Sequence, residues 1–212
     1  QSYIDSNADQ TPDYRPYADQ LRGFRVLGQV KNTYIIASTF EGLAVIDQHV
    51  AHERVLYERL TVLRNQNGVP IEHLVTPFTL HTGMAEAALV SKRLEDFQNA
   101  GWELEPFGKD AFLVRAVPAY SNRRGCEELL RDIIDELVYQ SISRRLVVQR
   151  DHVTITNACK MAIKAGDPLT MPEMQALIEQ LADTVNPYVC PHGRPIVVTI
   201  PFIDIDKKFK RA

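Results

Sequence analysis

Asp47-Gln48-His49-Val50-Ala51-His52-Glu53 packs carboxylate and imidazole side chains into one short run. If the run lies where a strand passes into a helix, Asp47 can cap the helix N-terminus or project into a cleft. His49 and Glu53 are four apart, so a helix shows both on one face, where they can share a metal ion. The competing reading is a capped helix with a surface His–Glu pair. A second group is Cys190-Pro191-His192-Gly193-Arg194-Pro195. Cys190 and His192, two apart on an extended segment, offer thiolate and imidazole to the same side, a common way to supply two zinc ligands. Arg194, stiffened between prolines, suits a phosphate fork or a salt bridge to a metal-bound carboxylate. The alternative is a rigid turn with a buried Cys190 and a structural Arg194. Cys159, in Asn157-Ala158-Cys159-Lys160, is expected at a helix start, where the dipole lowers a thiol pKa. The plainer reading makes it a small core residue.

Taken together, His49, Glu53, Cys159, Cys190 and His192 form a mixed N, O and S donor set drawn from three distant segments. Thiolates select Zn²⁺, whereas Asp47 and Glu53 also suit harder Mn²⁺ or Mg²⁺. Two such ions can clamp the attacking and leaving oxygens of a phosphodiester. The donor set alone does not fix the reaction.

These residues need particular elements to position them. Val30–Ala37 and Leu43–Ile46 read as an antiparallel hairpin turning at Glu41-Gly42, and Asp47 ends the second strand. A helix follows, with Val50, Glu53-Arg54, Leu56-Tyr57 and Leu60 on its face, ending near Asn67-Gly68. Residues 70 to 142 read as β-α-β-β-α with a core of their own: a strand over Leu74–Leu80 broken by Pro77, a helix over 84–100, strands flanking Gly108-Lys109-Asp110, and a helix over 126–139. Its last helix pairs Leu129/Leu130, Ile133/Ile134 and Leu137/Val138 at spacings of four. A helix over 154–165 and a second opened by the capping-box pattern Thr170-x-x-Glu173 lead to a strand over Ile196–Ile200.

Composition sets the bounds. The 212 residues are 45% hydrophobic and 24% charged, enough for a sizeable core in one domain or two small ones. A net charge of −3 excludes a strongly basic nucleic-acid binder, so any DNA contact needs local patches or another part of the molecule. The candidate patches are Arg123-Arg124, Arg144-Arg145 and Lys207–Arg211. No apolar run reaches the roughly 20 residues of a membrane span. Three cysteines are too few for a disulfide framework and fit a reducing compartment. His73, His81, His152 and Cys126 have no motif partners and read as structural. Residues 1–21 are polar and open on Gln, which reads as a linker remnant from something longer.

At these residues the sequence resembles the C-terminal domain of the MutL mismatch-repair family in its endonuclease-bearing form. Asp47–Glu58, DQHVAHERVLYE, is similar to the family's DQHA-x2-E-x4-E motif, with Glu53 and Glu58 at its glutamates. Ala158-Cys159-Lys160 resembles its ACR motif, Cys190–Pro195 its CPHGRP motif, and Phe209-Lys210-Arg211 its FxR motif. The resemblance runs in order over roughly residues 22 to 212. Val50 stands for the usual Ala and Lys160 for the usual Arg; Lys160 keeps the charge but loses the bidentate fork.

The resemblance implies an α+β fold: a dimerisation lobe of a β-hairpin plus helices, from residues 22–69 and 151–212, with a β-α-β-β-α regulatory lobe inserted at 70–150. It implies a homodimeric endonuclease that nicks one strand of duplex DNA, fed by an N-terminal ATPase through the linker. Asp47, His49, Glu53 and Arg194 would be catalytic, and Asp47, His49, Glu53, Cys159, Cys190 and His192 would hold metal, Zn²⁺ structurally and Mn²⁺ or Mg²⁺ catalytically. A metal-activated water would attack the scissile phosphate. Glu58, about 140° round an ideal helix from Glu53, would serve packing or support. The resemblance also implies a docking peptide for the replication sliding clamp at Glu72, Leu74, Val75 and Pro77, where Glu72 replaces the family's Gln. It further implies contact with the mismatch-recognition protein MutS through the full-length protein, no membrane partner, and a bacterial, cytoplasmic, nucleoid-associated setting. The rival readings are a zinc-stapled dimerisation module without catalysis of its own and a hydrolase of small phosphoesters or peptides; the absence of HExxH weighs against a peptidase.

Overall fold

A computed structural model describes residues 15–66, 68–121, 125–142, 152–190 and 193–211. It begins with helix α1 (Arg15–Arg22), which overlaps the stretch expected to be linker. Its anchor is Leu21, fully buried in the first core, too short a signal to leave a period in the sequence. Three antiparallel strands follow: β1 (Arg25–Val30), β2 (Tyr34–Ser38) and β3 (Gly42–Asp47). The extended run expected from Val30 to Ala37 is instead interrupted at Lys31 and Asn32. Both take positive φ, 54° and 47°, and turn β1 into β2, a conformation Asn tolerates better than Lys. β3 runs directly into α2 (Gln48–Gln66).

The chain then builds a second sheet from β4 (Ile71–His81), β5 (Glu103–Pro106) and β6 (Ala111–Pro118), in the order β4-β6-β5. The helix expected over 84–100 is two, α3 (Met84–Lys92) and α4 (Leu94–Asn99), parted at Arg93, whose N–H closes α3 on the Val90 carbonyl. The inserted unit is therefore β-α-α-β-β-α, ending in α5 (Cys126–Ile142). Its core joins Val90, Phe97, Trp102 and Phe112 to Leu130 and Ile133 of α5. β4 pairs with β6 at its two ends but bulges from Leu74 to Pro77, where only Arg115 stands opposite. Pro77 has no N–H for the ladder, which accounts for the break.

The chain returns through α6 (His152–Met161) and α7 (Met171–Ala182), then β7 (Val197–Pro201) and α8 (Phe202–Lys208). α7 carries the expected reciprocal cap, Glu173 N–H to Thr170 Oγ1 and Thr170 N–H to Glu173 Oε2. β7 completes a sheet in the order β1-β2-β3-β7. The approach of β3 to β7 is close: a Cβ at Gly42 would overlap the Ile200 carbonyl. Ile35, Ala37, Ala44 and Ile46 point into the first core with Leu177 and Ile178 of α7. A third, smaller core of Leu56, Leu60, Val69, Ala158 and Ala162 places α6 against α2. α6 also packs on α5, and a buried relay ties it to the inserted unit. In that relay Trp102 Nε1 donates to Asn157 Oδ1, and Asn157 Nδ2 donates to the Ala100 carbonyl. The architecture is α+β with antiparallel sheets.

Candidate metal centre

The site starts with the cap on α2. Asp47 Oδ1 accepts N–H bonds from His49 at 3.0 Å and Val50 at 3.1 Å, so its carboxylate closes the helix N-terminus and fixes the entry angle. One turn later the helix aligns His49 and Glu53 on the face toward α6. The donor atoms of His49, Glu53 and Cys159 all lie within 4.8 Å of one another. Glu53 is fully buried, and Arg194 Nη2 donates to its Oε2 at 3.2 Å.

Cys159 is the eighth of the ten residues of α6, near its C-terminal end. The expectation of a helix-start thiol is therefore reversed, and the dipole does not favour its thiolate. Burial pushes the Cys159 thiol up, and the Glu53 carboxylate adds to this against the opposing pull of Lys164, Lys160 and Arg194. The last segment reaches the same place through a tight turn. Cys190 N–H donates to the Arg194 carbonyl at 2.9 Å, Gly193 N–H to the Cys190 carbonyl at 2.9 Å, and Arg194 N–H to Cys190 Sγ at 3.3 Å. Gly193 takes φ of 80° at the apex, where a side chain would be strained. Cys190 is buried beneath this turn. Bonding to Cys190, with the nearby Glu53, Cys190 and Cys159, holds the Arg194 guanidinium above its usual range.

Asp47 and Glu58 support the cluster from outside it. Asp47 takes the capping role that its strand-to-helix junction allows. Glu58 holds the loop that leads to Cys190: its carboxylate accepts N–H bonds from Val185 at 2.7 Å and Asn186 at 3.4 Å, and pairs with Arg54. Arg54 in turn donates through Nε to the Val189 carbonyl at 2.8 Å. The second motif glutamate thus acts one shell out, as its angle round the helix implied. Pro191, His192, Arg123-Arg124 and Arg144-Arg145 lie outside the described residues, whereas Lys207–Arg211 is an exposed C-terminal stretch.

Sequence reasoning missed Gln48 and the loop after α6. Gln48 is fully buried, and its Nε2 faces the carbonyls of Asn32 at 2.8 Å, Lys164 at 2.9 Å and Asp167 at 3.0 Å. Those acceptors are backbone atoms 16 and more residues away, so no side-chain spacing signals them. The available signal was a glutamine where an amphipathic helix calls for an apolar residue.

The His49 ring is oriented by the backbone. Its Nδ1 lies 2.8 Å from the Ile163 carbonyl, which only accepts, so Nδ1 carries the proton and Nε2 keeps a lone pair in the neutral ring. Donors on one tetrahedral Zn²⁺ at about 2.0–2.3 Å lie roughly 3.3–3.8 Å apart. The 4.8 Å bound on the cluster thus leaves about an ångström of closure, within the reach of side-chain rotation. Imidazole, carboxylate and thiolate suit Zn²⁺ or another borderline divalent ion, and Cys190 stands beside them through Arg194.

Comparison with known proteins places this sequence in a family. The model of the MutL C terminal dimerisation domain matches residues 27–169. A DNA mismatch repair protein MutL of Halothermothrix orenii is 40% identical over 187 residues, 88% of this chain and 29% of the relative. Those of Koribacter versatilis and Desulforamulus reducens are 38% and 41% identical, over 95% and 93% of this chain and 31% of each relative. The chain spans about three-tenths of the length of these curated relatives. It belongs to the family of MutL C-terminal dimerisation domains.

Proposed function

We propose that this domain is a metal-dependent endonuclease that nicks one strand of duplex DNA, and the homodimerisation module of a protein acting in DNA mismatch repair. The observation that carries the catalytic reading is the convergence of His49, Glu53 and Cys159 from two helices onto one point, with Arg194 bonded to Glu53. A divalent ion held there supplies Lewis-acid charge to a phosphodiester and acidifies water. The chain's own residues prepare the place. His49 presents a fixed lone pair, and the buried Glu53 carboxyl is held in place by its bond to Arg194. Arg194, half exposed, can turn its remaining N–H groups to a phosphate oxygen while it holds Glu53. Asp47 keeps the helix end in register.

The test is nicking of supercoiled plasmid with Mn²⁺ by the wild type and by Glu53→Gln and Asp47→Asn. The proposal expects no nicking by the first and a reduced rate by the second, since Asn still accepts the capping N–H bonds. Full nicking by Glu53→Gln contradicts it. The burial of Cys190 supports a second reading, a structural Zn²⁺ that staples α2, α6 and the last turn. Chelation then lowers the melting temperature rather than silencing nicking alone.

Dimerisation is supported by the outer face of the first sheet. Register puts Leu43 opposite Ile200 and Val45 opposite Val198, with Ile36 beside Val45. Val198 and Ile200 are 55% and 41% exposed, so the sheet is apolar on both faces. Such a face needs a cover, and a second copy of the chain provides it. Val198→Glu should convert dimer to monomer in light scattering; an unchanged mass overturns this interface.

The bulge in β4 supports sliding-clamp docking. Leu74 is half buried against the second core, while Glu72 and Pro77 are exposed and Val75 is fully so. Val75→Glu should abolish clamp binding in a pull-down. Contact with MutS belongs to the whole protein and is carried over with the family. No helix among the described residues is long and apolar enough to cross a membrane.

A further inference from the structure

We propose that His52 is a positioning residue for the metal centre: with His49 it grips both backbone groups of Ile163 and so fixes the tautomer in which His49 meets a metal ion. This rests on the metal-centre reading above. Ile163 N–H donates to His52 Nδ1 at 2.9 Å, and His49 Nδ1 stands 2.8 Å from the Ile163 carbonyl. A backbone N–H only donates, so His52 Nδ1 is bare and the neutral ring carries its proton on Nε2. A carbonyl only accepts, so His49 has the opposite tautomer. Two histidines three apart on one helix thus hold one residue between a donor and an acceptor.

The grip also ends α6 at the right place. In a continuing helix the Ile163 N–H would bond the Cys159 carbonyl. His52 takes that N–H, and the Lys164 ammonium donates to the Cys159 carbonyl at 3.3 Å. α6 therefore stops just beyond the turn that presents Cys159, and the chain is released into the loop that faces His49. The far side of that loop is fastened separately. Lys164 N–H donates to Asp167 Oδ2 at 2.8 Å, Gly166 N–H to the Asn32 carbonyl at 2.7 Å, and Gln48 reaches the Lys164 and Asp167 carbonyls. The Ile163 side chain is buried in the first core. The acceptor offered to His49 is therefore rigid. Without His52 a buried N–H loses its partner, the segment shifts, and His49 is free to place its proton on Nε2, where it cannot ligate.

The experiment reads tautomers before it reads metal. Long-range ¹H–¹⁵N correlation on the metal-free chain, at a pH where the rings are neutral, should show His49 protonated on Nδ1 and His52 on Nε2. Either ring in the opposite form overturns the proposal. Zn²⁺ affinity by chelator competition follows for H52N, whose Oδ1 can replace Nδ1 as acceptor, and H52L, which cannot accept. H52N should keep the wild-type affinity and H52L should lose about 10–100-fold. Equal affinity in H52L, or an equal loss in both variants, overturns the proposal. Should H52L fail to fold, the wild-type tautomers and H52N decide the matter. Wild-type protein that shows the stated tautomers but binds no Zn²⁺ overturns the metal-centre reading and, separately from the grip, the role assigned to it.

Discussion

Helices α2 and α6 and the lobe inserted between them solve the burial problem in opposite ways. Among the described residues the buried polar side chains are Gln48, Glu53 and Arg54 on α2, Thr154, Thr156 and Asn157 on α6, and Ser121 at the margin of the inserted lobe. The inserted lobe is otherwise packed with Val, Ile, Leu, Phe and Trp. Burying a polar group without a partner costs a few kcal/mol, so the α2–α6 layer adds directional bonds to the small apolar core between its helices. The inserted lobe is specified by apolar volume. The candidate metal centre lies in the first kind of region, where side chains are held in place by other donors and acceptors.

Substitutions can break this contrast. Glu53→Gln keeps the shape and one acceptor for Arg194, so nicking should fall to background while circular dichroism stays native. Ile133→Ala, in the apolar lobe, should cost about 2–5 kcal/mol in denaturant unfolding and leave metal affinity untouched. Loss of metal affinity there would show that the two regions are not independent. Glu58→Gln loses the ion pair with Arg54 and one of the two loop N–H bonds, so metal affinity should fall about tenfold at constant stoichiometry, measured by competition titration.

The smallest effect is on pH. The folded chain holds the Cys159 thiol above its ordinary value, so just above that value the folded state keeps a proton that the unfolded state has lost. This contribution is fully present below the unfolded value and fades as pH rises through the folded one. Metal-free stability should therefore decline on the alkaline side, and Cys159→Ala should flatten the decline.

The same contrast decides what was legible in the sequence. α5 shows its apolar pairs at spacings of four because the face it buries is apolar, and the strands around Gly42 alternate for the same reason. The motif residues His49, Glu53, Cys159, Cys190 and Arg194 were legible by chemical type and spacing. The capping by Asp47 was legible too, but the place of Cys159 was not, because it sits late in α6 and depends on where that helix begins. α1 and α8 escaped notice since α1 is short and α8 buries no residue. Gln48 and His52 escaped because their partners are backbone atoms of a distant loop.

The central claim is that His49, Glu53 and Cys159 together hold one divalent ion. Cobalt substitution tests it directly, because Co²⁺ reports thiolate and imidazole ligation in its absorption spectrum. Wild-type chain should bind one Co²⁺ with a thiolate charge-transfer band. That band should weaken in Cys159→Ser, and the ion should be released from His49→Ala. A band of unchanged strength in Cys159→Ser, or undiminished binding by His49→Ala, would contradict it.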